Sequence, residues 1–207
     1  MIFDLPAPDT QGARSLANCI MNRRSVREYA ESPIPVSYLS QLLWSAQGHT
    51  GSTQKRSTPS AGGLYPLHLY ILVRRVVDLP PGIYEYKDDD HSLRLLDSQV
   101  PELKVKELGI GDQPWLSESA VVIGVAANFE DSIKHFASQH PHGERGRRYA
   151  YMESGALAQN VHLQATDIGI GCVLVAGFKD SLAKAILRLS SDLEPTALLC
   201  IGPRREN

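Results

Sequence analysis

The placement of the apolar runs constrains this chain most. Residues 67–73, 120–127, 172–175 and 197–201 are short, nearly continuous apolar stretches bounded by turn-forming residues, as expected of buried strands. Residues 83–86 and 93–96 add a hairpin whose turn carries Asp88, Asp89, Asp90 and His91. Helical spacing is found instead at 15–22, from Pro35 or Ser37 to Gly48, at 147–167, and after Asp180. Strands and helices follow one another without regular β-α-β alternation and without a glycine-rich first turn. The pattern predicts an α+β fold, a single domain over residues 1–207, rather than a doubly wound dinucleotide fold. Gly109-Ile110-Gly111 and Gly169-Ile170-Gly171 are fragments of a dinucleotide fingerprint that lack its third glycine.

Finer expectations follow from side-chain spacing. Residues 1–13 read as an extended arm, and the first helix has an apolar side of Leu16, Cys19 and Ile20. Leu39, Leu42, Leu43 and Ala46 give the second helix its buried face, and the polar, glycine-containing stretch 51–58 reads as a mobile loop. The long helix carries Gly155, Ala156, Ala158 and Ala165, small residues that permit close helix packing and suggest a dimer interface. Leu182, Ile186 and Leu189 line one side of the helix begun by Asp180.

Composition excludes several classes. A formal net charge of −2 supplies no global field for nucleic acid, so any phosphate site must be built locally. Cys19, Cys172 and Cys200 are far apart and set among apolar neighbours, as expected of reduced core residues. Asp4 and Asp9 near the N-terminus argue against a secretory signal, and no apolar run approaches the roughly 20 residues of a membrane span. A cytoplasmic location is the resulting expectation. His135, His140, His142 and His162 match no ligand spacing, and an Asp-rich turn forms readily through its own backbone, so no metal is expected.

Two short segments carry the candidate chemistry. In Arg23-Arg24-Ser25-Val26-Arg27, an extended backbone would point Arg23, Ser25 and Arg27 the same way, offering guanidiniums and a hydroxyl to a phosphate or a flavin edge. A solvated basic turn after a helix is the other reading of those residues. In Pro59-Ser60-Ala61-Gly62-Gly63-Leu64-Tyr65-Pro66, two prolines bracket small residues whose backbone a flat ligand can approach; an ordinary turn is the alternative. Gly202-Pro203-Arg204-Arg205 sets a further basic pair after the last strand. Tyr65, Tyr149 and Tyr151 suit either a substrate pocket or core packing.

The ordered set formed by Arg23 to Arg27, Pro59 to Pro66, Gly169 to Phe178 and Gly202-Pro203-Arg204 resembles the FMN-dependent nitroreductase superfamily over nearly the whole chain. The Pro-Ser-Ala-Gly segment, the Gly-Ile-Tyr-Glu-Tyr hairpin and Gly143-Glu144-Arg145-Gly146-Arg147-Arg148-Tyr149 are similar to its SagB-type dehydrogenase branch. The resemblance implies a nitroreductase-like fold with a central mixed or antiparallel sheet flanked by helices, in an intertwined homodimer with FMN at the subunit interface. It implies that Arg23, Arg24, Ser25 and Arg27 hold the cofactor from one subunit, with Arg204 and Arg205 at the phosphate. Pro59, Ser60, Ala61 and Gly63 then come from the other subunit against the ring, while Val175, Ala176, Gly177 and Gln113 complete the contacts. The implied activity is a ping-pong hydride transfer from NAD(P)H or a small organic substrate to an acceptor. Oxidation of a peptide azoline or small heterocycle with oxygen as acceptor is an alternative, and a flavin-binding scaffold subunit is another. Azoline-oxidising members of the branch use a Lys-Tyr pair as base, where this chain has Pro141-His142, making His142 the residue there with a base's chemistry.

Overall fold

The computed structural model describes residues 1–51, 55–141 and 144–205. The chain opens with strand β1 (Ile2–Asp4), helices α1 (Leu16–Asn22) and α2 (Val36–Gln47), and the short strands β2 (His49–Thr50) and β3 (Lys55–Arg56). Strands β4 (Leu67–Val73), β5 (Gly82–Lys87) and β6 (Ser92–Asp97) follow, then α3 (Glu102–Lys106), α4 (Trp115–Glu118), β7 (Val121–Ala127) and α5 (Phe129–His135). The long helix α6 (Glu144–Asp167), β8 (Gly171–Val175), α7 (Asp180–Leu187) and β9 (Glu194–Gly202) complete it.

Seven strands form one sheet in the order β1-β6-β5-β4-β7-β9-β8. Every neighbouring pair is antiparallel, so of the two expected arrangements the antiparallel one is found. β4 pairs with β7 along all seven residues, from Leu67 opposite Ala127 to Val73 opposite Val121. Antiparallel sheets often leave one face in water, but here helices cover both, which explains why the central strands read as continuous apolar runs. Ile71, Ile123 and Leu199 pack with Leu39, Leu42 and Leu43 of α2 and Leu157 and Val161 of α6. Their alternating neighbours Leu72, Val122 and Leu198 pack with Leu116 of α4 and Ala183, Ile186 and Leu187 of α7.

Several expectations need correction. The N-terminal arm contributes an edge strand, with Ile2 opposite Arg94 and Asp4 opposite Ser92. The stretch expected to be a mobile loop contains β3, which pairs with β2. In α1 Ser15 caps the N-terminus, its hydroxyl accepting from Asn18 N–H at 3.2 Å, but only Cys19 of the expected apolar side is buried. Leu16 and Ile20 stand in solvent. The small residues of α6 do not share one face: Ala158 and Ala165 are in the core, Gly155 is exposed and Ala156 is half-buried. Helices α3, α4 and α5 had no counterpart in the sequence reading. Cys19, Cys172 and Cys200 are buried and free.

Candidate functional site

After α1 the chain leaves helical geometry at Arg23 and runs extended along the outer edge of β8. Ser25 forms a parallel bridge with Cys172, and Val26 N–H donates to Cys172 O at 2.9 Å. A few residues on, Ala30 N–H donates to Pro203 O at 3.0 Å, and Tyr29 forms an antiparallel bridge with Arg204. The basic runs from the two ends of the chain thereby meet on one sheet edge. Buried Tyr29 is the anchor, its hydroxyl shared between Val26 O and Cys200 O at 2.8 Å each. Two glycines admit it: a Cβ at Gly202 would lie 2.8 Å from Tyr29 Cδ1, and one at Gly171 would lie 2.7 Å from Val26 Cγ1 and 3.1 Å from Tyr29 Cε1.

Arg24 turns back to donate to Met21 O at 2.9 Å and Arg23 O at 2.8 Å, tying off the end of α1. Arg27 lies over the Trp115 ring, 5.4 Å from its centroid. Among the described residues, the Arg204 and Arg205 side chains donate only at long range, to Ile170 O and Tyr29 O at 3.4 Å each. Among the described residues, none of Arg23, Arg27, Arg204 and Arg205 has a carboxylate within ion-pair distance. Beneath them, burial and then the Arg23 charge push His162 down to about 4, so its ring is neutral at ordinary pH. At the far end of β8, Gln113 Nε2 donates to Gly177 O at 2.5 Å and Ile110 O at 2.9 Å, fixing exposed Ala176 and Gly177. Val175 is buried in the core and paired with Leu198 in the sheet, so among these residues it is Ala176 and Gly177 that present an exposed surface.

The small-residue segment forms a separate surface. Ala61–Gly63 makes one tight 3₁₀ turn, with φ of 65° at Gly62 and 68° at Gly63, a left-handed geometry that glycine adopts freely. No heavy atom lies within 4 Å of where a Gly63 Cβ would sit, so its backbone faces open space. Glu153 of α6 accepts from Ala61 N–H at 2.7 Å, and Ser60 Oγ accepts from Tyr65 N–H at 2.8 Å. Burial raises the Glu153 carboxyl above its usual range. Around it a cavity of about 360 Å³ is lined by Pro59, Ser60, Ala61, Tyr149, Met152 and Ala156.

The candidate residues thus fall into two groups. Arg23, Arg24, Ser25, Arg27, Gln113, Val175, Ala176, Gly177, Arg204 and Arg205 follow the edge and end of β8, while Pro59, Ser60 and Ala61 face the cavity beside α6 and Gly63 faces the neighbouring hollow lined by Arg56 and Tyr65. None of the edge arginines lines that cavity. His142 lies outside the described residues. At the acidic turn, His49, Asp88 and Asp89 gather ligand-type atoms within 4.8 Å of one another, but Arg56 already pairs with Asp88 at 2.6 Å. Tyr29, Trp115 and Glu153 were not singled out from sequence. The one available signal was an acidic residue amid the apolar spacing of α6.

An antiparallel sheet covered on both faces by helices, with basic segments from both termini along one edge, defines an α+β architecture. The chain belongs to the nitroreductase family, whose model matches residues 20–203. It is 37% identical over 206 residues to "Putative nitroreductase MJ1384" of Methanocaldococcus jannaschii, covering 99% of this chain and 98% of that protein. A crystal structure of a "putative nitroreductase" from Ralstonia eutropha superposes with a TM-score of 0.81 at 23% identity, covering 100% of this chain and 90% of the other. A chain of the Escherichia coli microcin synthetase McbBCD complex, with truncated pro-MccB17 bound, gives a TM-score of 0.73 at 21% identity, covering 97% and 77%. The microcin B17-processing protein McbC of that organism is 26% identical over 139 residues, 65% of this chain and 49% of McbC. The protein is therefore an oxidoreductase of the nitroreductase family with the α+β fold that its sequence resemblance implied. No helix among the described residues is long and apolar enough to cross a membrane.

Proposed function

We propose that this chain is an FMN-dependent oxidoreductase acting as a homodimer, with each flavin bound between the subunits. The observation that carries this reading is the edge of β8, where the segments bearing Arg23, Arg27, Arg204 and Arg205 meet and where, among the described residues, none of the four has a carboxylate within ion-pair distance. Such a set suits a phosphate, which accepts charge-assisted and bidentate bonds from guanidinium groups. The flat ring is suited by the open backbone at Gly63 and by exposed Ala176 and Gly177 held by Gln113. Because the turn and the arginines line separate surfaces in one chain, Ser60, Ala61 and Gly63 are assigned to the ring bound by the opposite subunit.

FMN, when bound, would supply two-electron hydride chemistry between NAD(P)H or a small organic donor and an acceptor. The chain's own part is to bind, orient and polarise. Arg23, Arg27, Arg204 and Arg205 hold the phosphate, Ser25 adds a hydroxyl, and backbone N–H groups of the turn are placed to stabilise negative charge on the ring. No protein nucleophile is needed.

Purified protein is expected to show the absorbance bands of oxidised flavin, and to lose them on anaerobic addition of NADH or NADPH. A bound flavin that neither nucleotide bleaches removes the reductase half of this reading. Arg23→Ala combined with Arg27→Ala removes two charge-assisted contacts of roughly 1.5–3 kcal/mol each, so FMN affinity falls about a hundredfold or more in a chain that still folds. Retention of flavin through purification of that variant contradicts the phosphate assignment.

The likeness to McbC favours a second reading, a dehydrogenase that oxidises an azoline-type ring in a peptide while oxygen reoxidises the flavin. Oxygen uptake with an azoline peptide, and none with NAD(P)H, selects it. A scaffold role is selected instead if the isolated dimer binds FMN and turns over neither donor.

A further inference from the structure

Glu153 takes no part in the arginine cradle, yet it is a buried carboxylate, 7% exposed. Its position on α6 turns it toward the small-residue turn. Oε1 accepts from Ala61 N–H at 2.7 Å, and the Ser60 side chain lies beside the same carboxylate and helps to hold its charge. Ser60 Oγ itself receives Tyr65 N–H at 2.8 Å, so Glu153 ties the entry of the turn to α6 and Ser60 closes its exit.

That turn needs fixing from outside. Gly62, Gly63 and Tyr65 all have positive φ, at 65°, 68° and 49°, and Tyr65 carries a side chain that disfavours this region. Within the turn, Gly63 N–H bonds to Ser60 O at 3.1 Å and Leu64 N–H to Ala61 O at only 3.4 Å. An apolar residue at position 153 would leave Ala61 N–H without its acceptor, and the backbone facing the open space at Gly63 would lose its tie to a rigid helix. The carboxylate also sits in the wall of a cavity whose other lining groups are mainly apolar, where burial makes a charged group costly unless it is hydrogen-bonded.

We propose that Glu153 is the positioning residue of the ring-facing turn: resting on the flavin reading above, its carboxylate holds Ser60 and Ala61 in the shape that meets the flat ligand and so sets ring-side affinity. This is separate from phosphate binding, and two ligands distinguish them. FMN carries the phosphate and riboflavin does not, and binding of each is followed by quenching of flavin fluorescence on titration with apoprotein.

Glu153→Ala is expected to weaken FMN and riboflavin alike by about tenfold, whereas Glu153→Gln, whose amide oxygen still accepts from Ala61 N–H, stays within about threefold of wild type. The Arg23→Ala, Arg27→Ala variant gives the opposite pattern, with FMN weakened and riboflavin unaffected. Unchanged binding of both ligands by Glu153→Ala overturns the assignment, as does an equal loss in Glu153→Ala and Glu153→Gln. Should Glu153→Ala not fold, Ser60→Ala carries the test: about threefold weaker binding of both ligands supports the clamp, and wild-type binding of both overturns it. A wild-type protein that binds neither ligand brings down the flavin reading itself, an outcome distinct from any of these.

Discussion

At the scale of single residues, burial has turned two ionisable groups in opposite directions. His162 is buried in α6, where loss of water and then the charge of Arg23 lower it to about 4, against 6.5 for the free side chain. A histidine depressed in this way takes up a proton in the unfolded chain before it does so in the fold. Its stabilisation is therefore complete above pH 6.5 and is lost as pH falls from 6.5 toward 4, a difference of roughly 3 kcal/mol. Glu153, raised by burial, acts in the other sense: its contribution is present below the unfolded carboxyl value and is lost as pH rises through its folded one. We expect urea midpoints to fall between pH 7 and pH 4.5 in wild type and to fall much less in His162→Leu. His162 Nδ1 has no hydrogen-bond partner among the described residues, so an apolar side chain forfeits no bond there. An equal fall in both proteins assigns the acid sensitivity elsewhere. None of this was legible in the sequence, where His162 is one of seven histidines and burial cannot be counted from spacing.

At the scale of elements, the cradle depends on how closely an extended segment lies against the sheet. Val26 and Tyr29 press on Gly171 of β8 and Gly202 of β9, at separations that leave no room for a methyl group. Gly171→Ala forces Val26 and Tyr29 outward, which disturbs the Tyr29 bonds to Val26 O and Cys200 O and the register that brings Arg204 beside the first basic run. Overpacking of this kind costs about 1–3 kcal/mol, and flavin affinity falls with it because the arginines lose their common edge. Thermal melts and flavin titrations of the same variant check the two effects together. Wild-type affinity at a lowered melting temperature separates the glycine from the site. The strands and long helices that build this arrangement were legible because their apolar residues repeat over five residues or more. Helices α3, α4 and α5 have seven residues or fewer, too short for a period to declare itself, and tertiary packing decides them. The basic runs were visible as charge, but their meeting depends on Tyr29 bonding to Cys200, 171 positions along the chain, a contact that no local pattern encodes.

At the scale of the whole molecule, the same helix that was misjudged from sequence becomes informative. Leu16, Ile20 and Met21 of α1 are 65%, 58% and 73% exposed, and Met152 of α6 and Leu174 of β8 are 65% and 41% exposed. α1 packs on α6, and the basic run that leaves α1 follows β8, so these residues belong to the elements that carry both halves of the candidate site. A helix in a monomer turns such side chains inward; here α1 has only Cys19 to bury in its own chain. Covering a Leu, Ile or Met side chain fully contributes about 1.5–3 kcal/mol, and a two-fold interface uses each residue twice. The homodimer proposed for this oxidoreductase supplies that cover and unites the turn of one subunit with the arginines of the other. We therefore expect the wild-type protein to run as a dimer of 22.7 kDa chains in light scattering. Leu16→Asp combined with Met21→Asp should give a folded monomer, because those two side chains meet little of their own chain. That monomer should keep its far-ultraviolet circular dichroism while losing flavin, since each half of the site then lacks its complement. A monomeric variant that still binds FMN as tightly as the dimer would show the whole site to lie within one chain, and the assignment of Ser60, Ala61 and Gly63 to the opposite subunit would be withdrawn.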